Sequence, residues 1–206
     1  MRGLYLVTDR GLCGEKAVET VILQAVKGGV SYVQLREKDV STRFFIEEAL
    51  NIRKILRPYH VPLIINDRVD VALAGGADGV HIGQEDMPYA MARRLLGPEA
   101  IIGLSVETWE DVQASQEIDV NYIGVSPVFA TPTKTDTKGA WGLEGLHRIK
   151  AFSRHPVVAI GGIHPANVKE VLDAGADCVA VVSAICASDD PEAAAKELNA
   201  IIRSGK

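Results

Sequence analysis

Eight short apolar runs recur along the chain, at residues 4–7, 32–35, 63–65, 79–82, 101–104, 122–125, 157–160 and 178–182, and they limit the fold more tightly than any other feature. The runs are apolar almost throughout rather than alternating with polar residues, the pattern of parallel strands buried on both faces. The segments between them carry helical periodicity, as in Phe44, Phe45, Ala49, Ile52, Ile55 and Leu56, or Val168, Val171 and Leu172. Gly28, Gly75 and Gly175 stand just past helical segments, where glycine is expected to take the left-handed conformation that stops a helix. Eight such β-α units predict an α/β fold, a (β/α)8 TIM barrel. A doubly wound open sheet is the structural alternative, but no glycine-rich dinucleotide fingerprint follows the first strand.

With 206 residues, 47% of them hydrophobic, and no linker-like or low-complexity stretch, residues 1–206 are expected to form a single barrel domain. The net charge of −5, without a block of Lys or Arg, argues against nucleic acid or an anionic membrane as partner and leaves small molecules. The apolar run near the N-terminus is too short for a signal peptide and nothing later reaches transmembrane length, so a cytoplasmic protein is expected. Cys13, Cys178 and Cys186, an odd number without metal-ligand spacing, fit reduced thiols. The oligomeric state is not set by the sequence, and a homo-oligomer stays open.

In a barrel of this kind, chemistry belongs to the carboxyl ends of the strands. Strand two ends in Gln34, Arg36 and Lys38, alternate positions that share one face, with Glu37 as the single nearby acid and on the opposite face. Buried cations without partners cost several kcal/mol each, about as much as an anionic ligand must offset, so this trio reads as a seat for phosphate. Asn66 and Asp67 end strand three, Gln84, Glu85 and Asp86 follow strand four, and Ser105 ends strand five. Asp67 and Asp86 would repel a bare phosphate, a conflict that Mg²⁺ resolves because it takes one or two carboxylates and completes its shell with phosphate oxygens. Helix capping is the alternative for either aspartate. Ser105 is released from that duty by the capping box of Thr108 and Asp111.

Strand six runs into Ser126 and then a long polar loop with Thr131, Thr133, Lys134, Thr135, Asp136, Thr137 and Lys138, read as a lid or binding loop in which Lys134 closes over phosphate. Gly161 and Gly162 end strand seven, with Pro165 behind them as an N1-type helix starter, and Val182, Ser183 and Ala184 end strand eight. That pairing suits a second, mainly backbone phosphate site, although paired glycines also make plain tight turns. His81 lies inside strand four as a core or pocket residue, and His60, His147, His155 and His164 are expected in solvent. No nucleophile stands at motif spacing from a base, so covalent catalysis is disfavoured.

Taken together, residues 5–9, 34–38, 65–68, 79–86, 103–105, 124–134, 159–163 and 181–185 closely resemble the thiamine phosphate synthase family, in order and spacing over nearly the whole chain. The resemblance implies a (β/α)8 barrel transferase with Mg²⁺ as cofactor and two small phosphorylated substrates. It would join a pyrimidine methyl diphosphate to a thiazole phosphate and release diphosphate. It further implies that Gln34, Arg36, Lys38, Asn66, Ser105 and Lys134 hold the pyrimidine diphosphate, with Arg36, Lys38 and Lys134 as the catalytic cations. By the same resemblance, Asp67 and Asp86 take the metal, and Thr131, Thr133, Gly161, Gly162, Val182 and Ser183 hold the thiazole phosphate. The chain departs from the family pattern at Ala130, where proline is common, and Trp141 has no assigned role. A thiazole tautomerase resembles the same barrel, but uses a histidine after strand six where this chain has Ser126. A non-catalytic thiamine- or thiazole-phosphate-binding regulatory protein is the remaining alternative.

Overall fold

The computed structural model describes residues 1–131 and 139–205. Eight parallel strands close on themselves in sequence order: β1 (Gly3–Val7), β2 (Tyr32–Leu35), β3 (Leu63–Asn66), β4 (Gly79–Ile82), β5 (Ile101–Val106), β6 (Tyr122–Val125), β7 (Val157–Ile160) and β8 (Cys178–Val181). Around them lie α1 (Val18–Lys27), α2 (Thr42–Leu56), α3 (Val69–Gly75), α4 (Tyr89–Leu96), α5 (Trp109–Ser115), α6 (Gly142–Phe152), α7 (Val168–Asp173), the single-turn α8 (Ser183–Cys186) and α9 (Pro191–Ser204). The (β/α)8 architecture expected from the eight apolar runs is the one observed.

The apolar runs are continuous because both faces of every strand are covered. Leu4 and Leu6 of β1 pack outward in the large core between sheet and helices, whereas Tyr5 and Val7 point inward and join Ile64, Tyr122, Val158, Cys178 and Ala180 inside the barrel. Each buried Leu, Ile or Val contributes about 1.5–3 kcal/mol relative to exposure, so one inward or outward error in register would cost a strand most of its stabilisation. The register places Val7 beside Gln34, Asn66 beside His81, His81 beside Gly103, and Gly103 beside Tyr122. Polar side chains therefore share the barrel interior with apolar ones, and they collect toward its carboxyl end.

At the opposite end a side-chain latch recurs ahead of three alternate strands, β4, β6 and β8. Asp78, just ahead of β4, accepts the Leu63 N–H at 2.7 Å, and Asp177, ahead of β8, accepts the Val157 N–H at 2.8 Å. Asn121, ahead of β6, does the same for Ile102 at 2.8 Å through its amide oxygen. In each case the latch residue also donates its own backbone N–H to the carbonyl of the residue it holds, giving a two-point clasp.

Local chemistry differs from the sequence reading at three places. Gly28 and Gly75 are right-handed or helical, and the left-handed residues are their successors Gly29 (φ 99°) and Gly76 (φ 61°), whereas Gly175 (φ 106°) behaves as expected. Pro165 sits in a turn ahead of α7 rather than at its first position, because the helix starts only after Asn167. His155 is buried, with its Nε2 2.8 Å from the Ser115 carbonyl, while His60, His147 and His164 are exposed as expected. Among the described residues no helix is long and apolar enough to cross a membrane.

Candidate active site

A cavity of about 570 Å³ opens at the carboxyl end of the barrel. Its wall includes every described residue singled out from the sequence as a ligand contact: Gln34, Arg36, Lys38, Asn66, Asp67, Asp86, Ser105, Thr131, Gly161, Gly162, Val182 and Ser183. Thr133 and Lys134 lie outside the described residues. Eight strands of one closed sheet thus bring together residues that are separated by up to most of the chain.

The cationic side is built by the end of β2. Gln34 is the last inward residue within the strand, 5% exposed, and Arg36 and Lys38 continue its alternation past the strand end toward the opening. Glu37, on the other face, is turned away and engaged by Arg10, whose Nε donates to both carboxylate oxygens at 3.2 Å. Arg10 also reaches the buried carboxylate of Glu48 on α2. Burial raises the Glu48 carboxyl above the ordinary range, even against the guanidinium beside it.

Contrary to the sequence expectation, Glu37 is not the nearest relevant acid. Arg36 Nη1 lies 3.4 Å from Asp9 Oδ2, and Lys38 Nζ donates to Asp67 Oδ2 at 2.5 Å. Asp9 follows β1 and also caps the short 3-10 turn Arg10–Cys13 by accepting from Leu12 N, so one carboxylate links that turn to the cationic wall. Neither ion pair closes off the cavity, because Arg36 and Lys38 keep 27% and 51% of their side-chain surface exposed.

The acidic side faces the same opening. Asp67 has a left-handed backbone (φ 61°), which a β-strand cannot continue, and the Asn66 amide donates to its Oδ1 at 2.6 Å. Neither aspartate caps a helix: α3 has no side-chain cap, and Asp86 instead accepts the Gly83 N–H at 2.6 Å within the turn after β4. Burial raises the Asp86 carboxyl above the ordinary aspartate range; the Gly83 N–H opposes this and the neighbouring Asp67 carboxylate adds to it. Two adjacent carboxylates that repel each other, next to cations and open space, suit a hard divalent cation. Among the described residues no group of three or more His, Cys, Asp or Glu could hold a metal by protein ligands alone. A cation held by these two carboxylates would complete its shell with water or with oxygens of a bound ligand.

Across the mouth, Gly161 (φ 103°) and Gly162 (φ 66°) both adopt conformations that side chains rarely take. A Cβ on Gly161 would come within 2.6 Å of Pro127 Cβ, and one on Gly162 within 2.8 Å of Phe129 Cβ. The pair therefore packs tightly against the segment after β6 as well as lining the cavity.

The floor holds residues that sequence reasoning left unassigned. Tyr5, His81 and Tyr122 line the cavity from β1, β4 and β6, and His81 Nε2 is 2.8 Å from Ser105 Oγ. Ser105 takes no part in the α5 cap, where Thr108 and Asp111 form the expected capping box. Gln84 adds a bond from its Nε2 to the Ser105 carbonyl at 2.6 Å. The available signal was the inward register of large polar residues between small ones, with Gly103 and Gly124 flanking Tyr122 and His81.

Residues 4–185 match the family model described as thiamine monophosphate synthase. The chain is 58% identical over 199 residues to the thiamine-phosphate synthase of Albidiferax ferrireducens, spanning 97% of this chain and 91% of that protein. It is 56% identical over 198 residues to the thiamine-phosphate synthase of Leptospira biflexa, spanning 94% of each. Among solved structures, thiamine phosphate pyrophosphorylase from Pyrococcus furiosus aligns with a TM-score of 0.91 at 39% identity, over 98% of this chain and 96% of that one.

Proposed function

The chain belongs to the thiamine monophosphate synthase family, and we propose that it joins 4-amino-2-methyl-5-pyrimidinylmethyl diphosphate to 4-methyl-5-(2-hydroxyethyl)thiazole phosphate, or the carboxylated form of the latter. The products are thiamine phosphate and diphosphate, which makes the enzyme a transferase. The observation that carries this reading is the juxtaposition, in one cavity, of the Arg36 and Lys38 cations with the Asp67 and Asp86 carboxylates. A metal-bound diphosphate complements both halves of that wall, whereas a monophosphate alone leaves the carboxylates opposed.

Asp67 and Asp86 would hold Mg²⁺, which when bound supplies positive charge to the diphosphate oxygens. Arg36 and Lys38 bind the same diphosphate and take up the charge that grows on it as the carbon–oxygen bond breaks, joined by Lys134. Gln34, Asn66 and Ser105 fix the pyrimidine diphosphate in place. Electron donation from the amino-substituted ring supports the methylene cation left behind, and the apolar wall of Val7, Val158 and Ile160 keeps water from it. Thr131, Thr133, Gly161, Gly162, Val182 and Ser183 hold the thiazole phosphate so that the thiazole nitrogen faces that carbon. No side chain needs to act as a nucleophile.

On this reading residues 1–206 form one barrel domain acting on two small phosphorylated substrates, without nucleic acid. A cytoplasmic setting goes with this reading, since its substrates are small phosphorylated metabolites. The test is diphosphate release by purified protein given both substrates, with and without Mg²⁺. Release that needs both substrates and the metal is expected. No release under any of these conditions would refute the assignment in favour of the tautomerase or of a silent binding protein.

A further inference from the structure

A continuous line of hydrogen bonds crosses the barrel interior beneath the cavity, and the mechanism above uses only its two ends. Gln34 Nε2 donates to Tyr5 Oη at 2.9 Å, and Tyr5 Oη lies 3.0 Å from Tyr122 Oη. Tyr122 Oη in turn lies 3.0 Å from His81 Nδ1, and His81 Nε2 lies 2.8 Å from Ser105 Oγ. The line visits β2, β1, β6, β4 and β5, so helical or strand neighbours along the sequence play no part in it. Space is reserved for it: a Cβ on Gly103 would fall 2.4 Å from Tyr122 Oη and 2.6 Å from His81 Nδ1, and one on Gly124 would fall 2.9 Å from His81 Cε1. The His81 and Tyr122 rings stack with centroids 5.5 Å apart.

With one proton on the His81 ring, the protons in this line all point one way. Tyr5 and Tyr122 are each 1% exposed, and burial raises both phenols, so each keeps its single proton. Tyr5 accepts from Gln34 and therefore gives its proton to Tyr122, since a buried hydroxyl proton without an acceptor is costly. Tyr122 then donates to His81 Nδ1. That leaves the His81 proton on Nε2, where it is donated to Ser105 Oγ, and the Ser105 proton is left for the cavity. If the Gln34 amide turns over and presents Oε1 to Tyr5, every proton in the line shifts and Ser105 faces the cavity as an acceptor.

We propose that Tyr5, Tyr122 and His81 are positioning residues that transmit the orientation of the Gln34 amide to the Ser105 hydroxyl, so that the site offers an acceptor at Gln34 and a donor at Ser105 together. This rests on the assignment of both end residues to the pyrimidine diphosphate. An amino group on the ring supplies the donor for Gln34 Oε1, and an anionic diphosphate oxygen accepts from Ser105. A ring bearing oxygen in place of that amino group offers an acceptor to Gln34, turns the amide, and rotates the Ser105 proton away from the diphosphate. The line thus makes discrimination at the ring and grip on the leaving group one event.

The test is ¹⁵N NMR of the His81 ring in the protein without substrate, assigned against a His81→Gln control. The neutral ring is expected to be protonated at Nε2 in the wild type. In Gln34→Glu, whose carboxylate only accepts, the proton is expected to move to Nδ1, and in a Tyr122→Phe background the same substitution is expected to leave the ring unchanged. Protonation at Nδ1 in the wild type would overturn the proposal by itself, whether or not the variants fold. So would a ring indifferent to Gln34→Glu, or equally responsive after Tyr122→Phe. In turnover, Tyr122→Phe is expected to lower kcat/KM for the aminopyrimidine roughly tenfold, about one hydrogen bond, and to narrow its preference over the oxygen-substituted analogue. A purely structural tyrosine would leave that preference ratio unchanged. Because the tautomer is read without substrate, the expected tautomer in a protein that releases no diphosphate refutes the reaction, and turnover with the opposite tautomer refutes the relay.

Discussion

Replacing Gly103 with alanine adds a single methyl group at a point where the structure has no room for it. The new Cβ would lie 2.1 Å from Tyr122 Cζ, 2.4 Å from its Oη and 2.6 Å from His81 Nδ1, whereas carbon atoms rest about 3.5–4.0 Å apart. Tyr122 must retreat by more than about 1 Å to clear it. It has nowhere to go, because Ile64, Val158 and Cys178 pack in the same interior cluster and Tyr5 meets it edge-on with ring centroids 6.1 Å apart. Gly103 has no left-handed φ, so contact rather than backbone strain sets the cost. Overpacking of this kind costs about 1–3 kcal/mol. Loosening the bonds of Tyr122 to Tyr5 and His81 adds roughly 0.5–1.5 kcal/mol each. For a chain of this size that total, about 2–6 kcal/mol, corresponds to a fall in melting temperature of roughly 4–24 °C. Gly124→Ala, at 2.9 Å from His81 Cε1, is expected to cost less. Thermal unfolding followed by circular dichroism, with both alanine variants and the wild type in one buffer, measures the order. A Gly103→Ala protein melting within about 2 °C of wild type, or one more stable than Gly124→Ala, would refute the packing argument.

Asp177→Ala should behave oppositely to substitutions at the mouth. It strands the Val157 N–H and Lys150 Nζ, which lies 2.5 Å from Asp177 Oδ2, so a loss of about 1–3 kcal/mol is expected in a thermal or urea melt. Diphosphate release should stay within about twofold of wild type, since that end of the barrel carries no chemistry. Arg36→Ala should lower kcat by about 10²–10³-fold, as expected for loss of a group aimed at developing charge. Its stability should change by less than about 1 kcal/mol, because the 3.4 Å pair with Asp9 is partly exposed on both sides; unchanged turnover would contradict the assigned role. Glu48→Gln tests the buried carboxylate. Burial raises the folded-state pKa of Glu48 above its unfolded value, so the stability it contributes is full below the unfolded value and is lost as pH rises through the folded one. The melting temperature of Glu48→Gln relative to wild type should accordingly increase with pH across the mildly acidic range, and a flat or falling difference would oppose this account.

The strands were legible because a fully covered sheet leaves its mark residue by residue. Tyr32–Leu35, Gly79–Ile82, Tyr122–Val125 and Val157–Ile160 coincide with the apolar runs, and β5 continues past its run only because Ser105 and Val106 still alternate inward and outward. The mouth was legible for a related reason: in a closed parallel barrel all strand ends arrive at one rim, so polar residues there converge whatever their separation in sequence. Pairing across that rim was not legible. Asp9 meets Arg36 because β1 and β2 are neighbours in a particular register, and nothing in the sequence of residues 34–38 reports it. The Tyr5–Tyr122 contact joins residues 117 positions apart through the centre of the barrel, where the stagger of all eight strands decides who meets whom. His155 escaped for a smaller reason, since its acceptor is the Ser115 carbonyl at the end of α5 and a backbone carbonyl has no sequence signature.

The latches at the closed end give the barrel a grain. Asp78, Asn121 and Asp177 each clasp the start of the strand before their own, tying β3 to β4, β5 to β6 and β7 to β8, while the junctions from β4 to β5 and from β6 to β7 carry no latch of this kind among the described residues. A break in the chain ahead of Leu63, Ile101 or Val157 leaves every clasp inside a single fragment; a break within a pair separates a clasp from what it holds. The barrel is continuous as a sheet, yet from β3 to β8 it is organised as severable parts in twos, and fragment reassembly or circular permutation has its natural cutting points between those pairs.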